Sequence, residues 1–122
     1  MRNAVILAAL AVLTTAAPAA DRRGPPAATP IGKPVSCIPL TQIRQSLVRD
    51  DRTIDFVMAG KRVYRNTLPN ACPSLGFEQR FSYATSLSQL CSTDIITVLY
   101  SAPIGRGPSC GLGEFQPVTL TK

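Results

Sequence analysis

Residues 53–66, TIDFVMAGKRVYRN, carry the clearest structural pattern in the chain. Apolar and polar residues alternate over 53–58, which places Ile54, Phe56 and Met58 on one face of a strand. Ala59-Gly60 then supplies a tight turn into a second strand at residues 61–66. The stretch therefore predicts an antiparallel hairpin within a β-rich domain.

Four other segments predict strands around this hairpin: residues 42–48, 77–83, 95–100 and 115–120. Phe77, Phe81 and Tyr83 have the same parity, so the second segment is expected to be half-buried. The third is nearly continuous in β-branched residues, which is typical of a strand covered on both faces. Pro117 predicts that the fourth lies at the edge of a sheet, because proline cannot donate a backbone hydrogen bond.

The segments between these strands are expected to be turns and loops. Thr85 is suited to cap a single helical turn over 85–90. Residues 102–108 are predicted to be a loop, and turn geometry explains their glycines as well as Gly111 and Gly113. No helix of three turns or more is predicted.

The fold class that follows is mainly β, a small antiparallel sheet curled toward a sandwich or partial barrel. The chain has 122 residues, of which 45% are hydrophobic and 16% charged. That composition is typical of a globular protein, and the length fits one domain. Residues 35–122 are predicted to form this single β domain.

The first 34 residues are predicted to lie outside the domain. Residues 1–20 resemble a secretory signal peptide, with a positive start at Arg2, an apolar run over 4–13 and the small residues Ala17-Pro18-Ala19 for cleavage. Ten apolar residues are too few for a membrane anchor, which needs about 20. Residues 21–34 contain four prolines, so they are expected to form a disordered tether.

Four cysteines follow the leader: Cys37, Cys72, Cys91 and Cys110. An even number in an exported chain predicts two structural disulfides, and thus a disulfide-stapled domain. No pair has the Cys-x-x-Cys spacing of redox or zinc sites. All three connectivities remain open, with a preference for Cys72 with Cys91 and Cys37 with Cys110.

The chain has no histidine, which removes the commonest general base and the commonest transition-metal ligand. The acidic residues Asp50, Asp51 and Asp55 are interleaved with Arg49 and Arg52. They are therefore interpreted as a charged hairpin turn rather than as a catalytic or calcium site. No catalytic residue, metal site or cofactor is predicted.

Arg62, Tyr64 and Arg80 are the candidate binding residues, because a basic groove with an aromatic edge binds anionic ligands by charge and stacking. The formal net charge of +6 lies partly in the leader and the tether, so the folded part is only modestly basic. The expected partner is an envelope protein or an anionic glycan or lipid. No specific nucleic acid is expected, and the mature chain is not expected to span a membrane.

Several short motifs follow one another over about residues 37–118: CIPL, YRN-x-LP, CPSL, RFSY, LC-x-x-D-x-ITV and CGLG. Together they resemble a family of small exported proteobacterial proteins classed as a domain of unknown function. The resemblance implies a location in the envelope of a Gram-negative bacterium and assigns no activity, ligand or catalytic residue. Members often look like lipoproteins, whereas this chain has no cysteine at the cleavage site.

The leading hypothesis is a non-enzymatic β-domain, periplasmic or secreted, that binds another envelope component. One alternative is a small inhibitor of a secreted hydrolase, which inserts the predicted loop 102–108 into its target. A second alternative is a thiol-redox protein, and this requires an accessible cysteine of low pKa.

Overall fold

The structure is a computed structural model that describes residues 11, 24–85 and 87–121. The predicted signal peptide, residues 1–20, lies outside the described residues apart from Ala11. The described residues form ten strands and one short α-helix, besides 3-10 turns at Leu40–Gln42 and Ala59–Lys61. In chain order they are β1 (Ala28–Pro30), β2 (Cys37–Pro39), β3 (Ile43–Val48), β4 (Thr53–Met58), β5 (Val63–Thr67), α1 (Leu75–Glu78), β6 (Phe81–Tyr83), β7 (Gln89–Cys91), β8 (Ile95–Ser101), β9 (Ile104–Gly111) and β10 (Phe115–Leu120).

The predicted hairpin forms the middle of a five-stranded antiparallel sheet with the order β1-β10-β5-β4-β3. Phe56 of β4 stands opposite Tyr64 of β5, and Asp55 stands opposite Arg65. The connection is a short 3-10 turn in which Gly60 has a φ of 81°. Glycine suits this position because a side chain disfavours positive φ.

Two smaller antiparallel sheets complete the fold, one with the order β6-β8-β9 and one that pairs β2 with β7. Phe56 of the five-stranded sheet meets Phe81 of the three-stranded sheet edge-on, with ring centroids 6.4 Å apart. It meets Phe115 in the same way at 5.6 Å. The core between the sheets also contains Ile38, Ile54, Met58, Leu68, Leu75, Leu90, Ile96 and Val98. The prediction of a mainly β, antiparallel fold is therefore confirmed, in a sandwich-like arrangement.

Two predictions about the ends of the domain are wrong. Ala28–Pro30, within the predicted disordered tether 21–34, forms β1 and pairs with β10. Consequently β10 is an interior strand and not an edge. The carbonyl of Pro117 in this strand accepts a hydrogen bond from the backbone N–H of Ile31 at 3.0 Å, on the β1 side. The proline nitrogen faces the same side, just past the end of β1, so the pairing with β5 loses no hydrogen bond.

The predicted strand over 77–83 is half right, because only Phe81–Tyr83 is extended. Its first part belongs to α1, which buries Leu75 and leaves Phe77 87% exposed. Positive φ values at Ser74 and Gln79, 72° and 57°, bracket the helix. These chain reversals break the alternation on which the strand prediction depended.

Three further local predictions are wrong. The described residues of 85–90 form no helical turn, since Thr85 Oγ1 donates to the carbonyl of Leu87 and Leu90 belongs to β7. The predicted loop 102–108 is mostly strand β9, with a tight turn at Ala102-Pro103, where the peptide bond is cis. Strand β8 forms as predicted but is not covered on both faces, because Ile95 is 59% exposed.

Both disulfides form, as predicted, but their preferred pairing is wrong. Cys37 of β2 is bonded to Cys91, its direct neighbour in β7, with the Cα atoms 4.0 Å apart. Cys72 is bonded to Cys110 of β9 with a Cα separation of 5.9 Å. The preferred pairing failed because the pairing of β2 with β7 fixes the partner of Cys37.

Candidate ligand-binding face

The structure places the three predicted binding residues on different sheets. Arg62 immediately precedes β5, and its Nη2 donates to Gln42 Oε1 at 2.8 Å, whereas Tyr64 lies in β5 and packs against the core. Arg80 is exposed and lies beside β6 in the three-stranded sheet, where its carbonyl accepts from the N–H of Leu99. The structure does not bring Arg80 into one groove with the other two, and a binding role for each stays a prediction.

The three-stranded sheet has one covered face and one open face. Ile96 and Val98 of β8 are fully buried toward the core, and the residues between them point the other way. We call this open side the outer face, and it comprises Arg80, Ser82, Ile95, Thr97, Leu99, Arg106 and Ser109.

A β-bulge assembles the outer face. Thr97 pairs with Ser109 and Leu99 pairs with Arg106, so two residues of β9, Gly107 and Pro108, stand opposite the single residue 98. In a regular strand, residues 106 and 109 would point to opposite faces. The extra residue turns Arg106 to the same side as Ser109, as bulges commonly do where a side chain must be redirected.

The side chains of the outer face form two rows across the strands. In the first row, Leu99 lies between Arg80 and Arg106. In the second row, Thr97 lies between Ser82 and Ser109, and its Oγ1 is hydrogen-bonded to Ser109 Oγ at 2.8 Å. A cationic row therefore runs beside a hydroxyl row.

A shallow groove of about 540 Å³ lies over part of this face. It is lined by Ser82, Tyr83, Ala84, Thr93, Asp94, Ile95, Thr97 and Arg106. Tyr83 is 37% exposed and supplies an aromatic edge. Asp94 Oδ2 accepts a hydrogen bond from the N–H of Cys91 at 2.7 Å, which fixes the carboxylate beside the groove.

The two arginines of the outer face are not neutralised. Among the described residues, no carboxylate oxygen lies within 4.0 Å of the guanidinium nitrogens of Arg80 or Arg106. Both residues are exposed. Because arginine presents a fork of donors that matches carboxylate and phosphate groups, this row is suited to an anionic ligand.

The other arginine cluster has a structural role. Asp55 is fully buried on β4, although the sequence predicted that it belongs to a charged turn. Arg65 donates to both of its oxygens, from Nε at 2.8 Å and Nη2 at 3.0 Å, and Arg49 Nε donates at 2.9 Å. The hydrogen bond to Asp55 raises the pKa of Arg65 above its ordinary value despite the opposing effect of burial.

The remaining acidic residues of the predicted cluster do lie in the β3–β4 turn. Asp50 Oδ1 accepts from the N–H of Arg52 at 2.8 Å, and Asp51 Oδ1 accepts from the N–H of Gly76 at 2.7 Å. These contacts order the turn and attach α1 to it. The interpretation of Asp50 and Asp51 as a charged hairpin turn is thus confirmed.

Sequence reasoning missed Arg106 and the hydroxyl row. Arg106 lies in a segment rich in glycine and proline, IGRGPSCG, which is typical of a loop. The alternation of Ser82 between Phe81 and Tyr83 was the available sign that a polar face existed there. The bulge that aligns Arg106 with this face has no such pattern in the sequence.

The described residues contain no group of three or more His, Cys, Asp or Glu side chains suited to hold a metal ion. None of the helices in the described ranges is long and apolar enough to cross a membrane. Comparisons with protein families, with curated proteins and with solved structures found no match. The resemblance carried by the short motifs stays a prediction, and function is argued from the outer face alone.

Proposed function

We propose that the chain is an exported, non-enzymatic domain of the cell envelope that binds an anionic envelope component through the outer face. The observation that carries this proposal is the row of Arg80, Leu99 and Arg106, whose guanidinium groups have no acidic partner among the described residues. Surface arginines without partners attract anions, and their fixed spacing on a sheet favours a specific fit.

Export is supported by the cysteines. All four are joined in two disulfides, a state that persists in oxidising compartments and is rare in the cytosol. The features of a secretory leader at residues 1–20 agree with this location, which we propose to be the periplasm or the exterior.

Binding rather than catalysis is supported by the way the reactive groups are used. The buried carboxylate of Asp55 is held by two guanidinium groups, and each cysteine is in a disulfide. A thiol-redox role, our lowest-ranked alternative, would require one of these disulfides to open during function.

The proposal is tested by retention of the purified mature protein on an envelope fraction. We expect the double variant Arg80→Glu/Arg106→Glu to bind at least about tenfold more weakly at physiological salt, because two attractive charges become repulsive. The matched control Arg44→Glu/Lys61→Glu makes the same change in charge at exposed positions of the five-stranded sheet and its hairpin turn.

Equal loss of retention in the test and control variants would show that net charge alone drives binding, and it would overturn the proposal. Unchanged retention in the Arg80/Arg106 variant would overturn it too. A single variant Arg62→Glu tests the surface predicted from the sequence, and we expect its retention to stay near that of the wild type.

One observation favours a second candidate, an inhibitor of a secreted hydrolase. The tip of the β8–β9 hairpin is exposed, and its Ile104 is 91% exposed. A rigid protruding tip loses little conformational entropy when it enters an active-site cleft. If this function holds, Ile104→Ser will weaken inhibition of the target hydrolase; if a panel of secreted hydrolases shows no inhibition, the candidate is dropped.

A further inference from the structure

We infer that the ligand of the outer face is an acidic polysaccharide whose sugar units carry carboxylate groups. This inference rests on the proposed function and adds the chemical class of the ligand. Three properties of the face and of the groove over it support the inference: the spacing of the arginines, the mixture of donors and acceptors, and the aromatic residue in the groove lining.

The spacing of the arginines suits a ligand with separate negative charges. Arg80 and Arg106 flank β8 on either side, and because neighbouring strands lie about 4.8 Å apart, their backbones are separated by about 10 Å. Two long side chains at that distance can hold two carboxylates of an extended chain. Each guanidinium offers a bidentate fork to its own carboxylate.

The groups around the arginines suit a ligand that carries hydroxyl groups as well as charge. Ser82, Thr97 and Ser109 present hydroxyls that both donate and accept hydrogen bonds. Asp94 adds a fixed acceptor, because no hydrogen bond from the described residues reaches its Oδ1 while Oδ2 is held by Cys91. A sugar hydroxyl can donate a hydrogen bond to this carboxylate, whereas an ionised polyphosphate has no donor to offer it.

The groove lining also suits the apolar face of a sugar ring. Tyr83 and Ile95 line it together and are 37% and 59% exposed. An aromatic side chain with one polar tip packs well against a ligand that is part apolar and part wet.

Two other anionic occupants fit the face less well. Single-stranded nucleic acid binds through successive stacked bases, and the groove lining has a single aromatic residue, Tyr83. A membrane surface favours an apolar face that enters the lipid, whereas the second row here consists of hydroxyl side chains. The chemistry that matches both rows at once is an acidic sugar.

The test measures binding to polygalacturonate, a polymer of carboxylated sugars, at physiological salt. Inorganic polyphosphate, anionic lipid vesicles and oligo-dT are the alternative probes. We expect polygalacturonate to bind best and to lose at least about tenfold in affinity with Arg80→Ala/Arg106→Ala.

The variant Thr97→Val/Ser109→Ala separates sugar recognition from charge. We expect it to weaken binding of polygalacturonate severalfold and to leave the weak binding of polyphosphate unchanged, because only the sugar uses the hydroxyl row. Both positions lie on an open face, so a thermal unfolding curve close to that of the wild type is expected as the control for folding.

The possible failures are distinguishable. If Arg80→Glu/Arg106→Glu loses retention on the envelope fraction but the wild type does not bind polygalacturonate, the inference is overturned and the proposed function stands. Stronger binding of vesicles, polyphosphate or oligo-dT than of polygalacturonate also overturns the inference. If Arg80→Glu/Arg106→Glu keeps its envelope retention and Arg80→Ala/Arg106→Ala keeps its polygalacturonate binding, the inference and the proposed function are both overturned.

Discussion

Asp55 of β4 is fully buried, and two arginine side chains donate hydrogen bonds to its carboxylate. The pattern of residues 53–58 assigned Asp55 to the polar side, and it does point away from the core. That side is nevertheless closed over Asp55 by Arg49 and Arg65, whose side chains are 24% and 15% exposed. Arg65 Nη2 also donates to the carbonyl of Pro26, which ties the segment before β1 to the sheet.

Replacement of Asp55 by asparagine is expected to lower the free energy of unfolding by about 3 kcal/mol, because two largely buried guanidinium groups lose their countercharge. Chemical denaturation measures this change. The control Glu114→Gln removes an exposed carboxylate and is expected to stay within about 0.5 kcal/mol of the wild type. A loss of similar small size at Asp55 would contradict a structural role for the ion pairs.

Asn66 gives a second example at the residue scale. It is fully buried, and its side chain donates to the carbonyl of Gly113 at 2.7 Å and accepts from the Gly113 N–H at 2.8 Å. The side-chain amide of Asn66 thus takes the place of a backbone partner for both polar groups of Gly113, just before β10. Gly113 is required there because a Cβ would collide with the carbonyl of Thr67.

At the level of secondary structure, β9 determines whether the candidate binding face can form. Its bulge at Gly107-Pro108 lets Arg106 and Ser109 share the outer face. Gly107 allows the close approach of the Tyr100 ring, since a Cβ at this position would lie 2.8 Å from Cζ of Tyr100. The same glycines that suggested a loop in the sequence therefore permit a strand with an irregular register.

The matched pair Gly107→Ala and Gly105→Ala tests this role within one strand. Gly107→Ala must displace the Tyr100 ring, so we expect a loss of about 1 kcal/mol in stability and weaker binding to the envelope fraction. At Gly105 an added Cβ meets no atom within 4 Å, and we expect stability and binding close to those of the wild type. Thermal unfolding and the retention assay measure the two effects; identical behaviour of the variants would argue against the assigned register.

For the whole molecule, the two disulfides join parts that are distant in sequence. Cys37–Cys91 and Cys72–Cys110 are separated by 54 and 38 residues. The two covalent loops overlap, so neither encloses the other. Cys72 follows β5 of the five-stranded sheet and Cys110 belongs to β9, so this bond links the two larger sheets across the core.

Digestion of the unreduced protein with trypsin tests this connectivity directly. Cleavage after Arg44, Arg65, Arg80 and Arg106 places the four cysteines in different peptides. Mass spectrometry is expected to find the pairs Cys37–Cys91 and Cys72–Cys110 and no alkylation before reduction. A peptide pair that contains Cys72 with Cys91 would refute the assigned fold.

Removal of one bond has a predictable cost. Because each disulfide closes a long loop in the unfolded chain, Cys72→Ser/Cys110→Ser is expected to lower stability by about 2–4 kcal/mol.

Features that depend on neighbours along the chain could be predicted from the amino-acid sequence. The alternation around Phe56 and the Ala59-Gly60 turn predicted the central hairpin, and the even number of cysteines predicted two disulfides. These features follow from local periodicity, turn chemistry and composition, which are properties of short segments.

Contacts between residues that are distant in the sequence could not be predicted in this way. β1 pairs with β10, although these strands lie near opposite ends of the chain. Cys37 is bonded to Cys91 because β2 pairs with β7, and the bulge in β9 brings Arg106 into one row with Arg80. Such pairings are chosen by the packing of several strands around one core and not by spacing within any one of them. The candidate binding face is of this second kind, because its two arginines are 26 positions apart in the sequence and meet only when β8 lies between them.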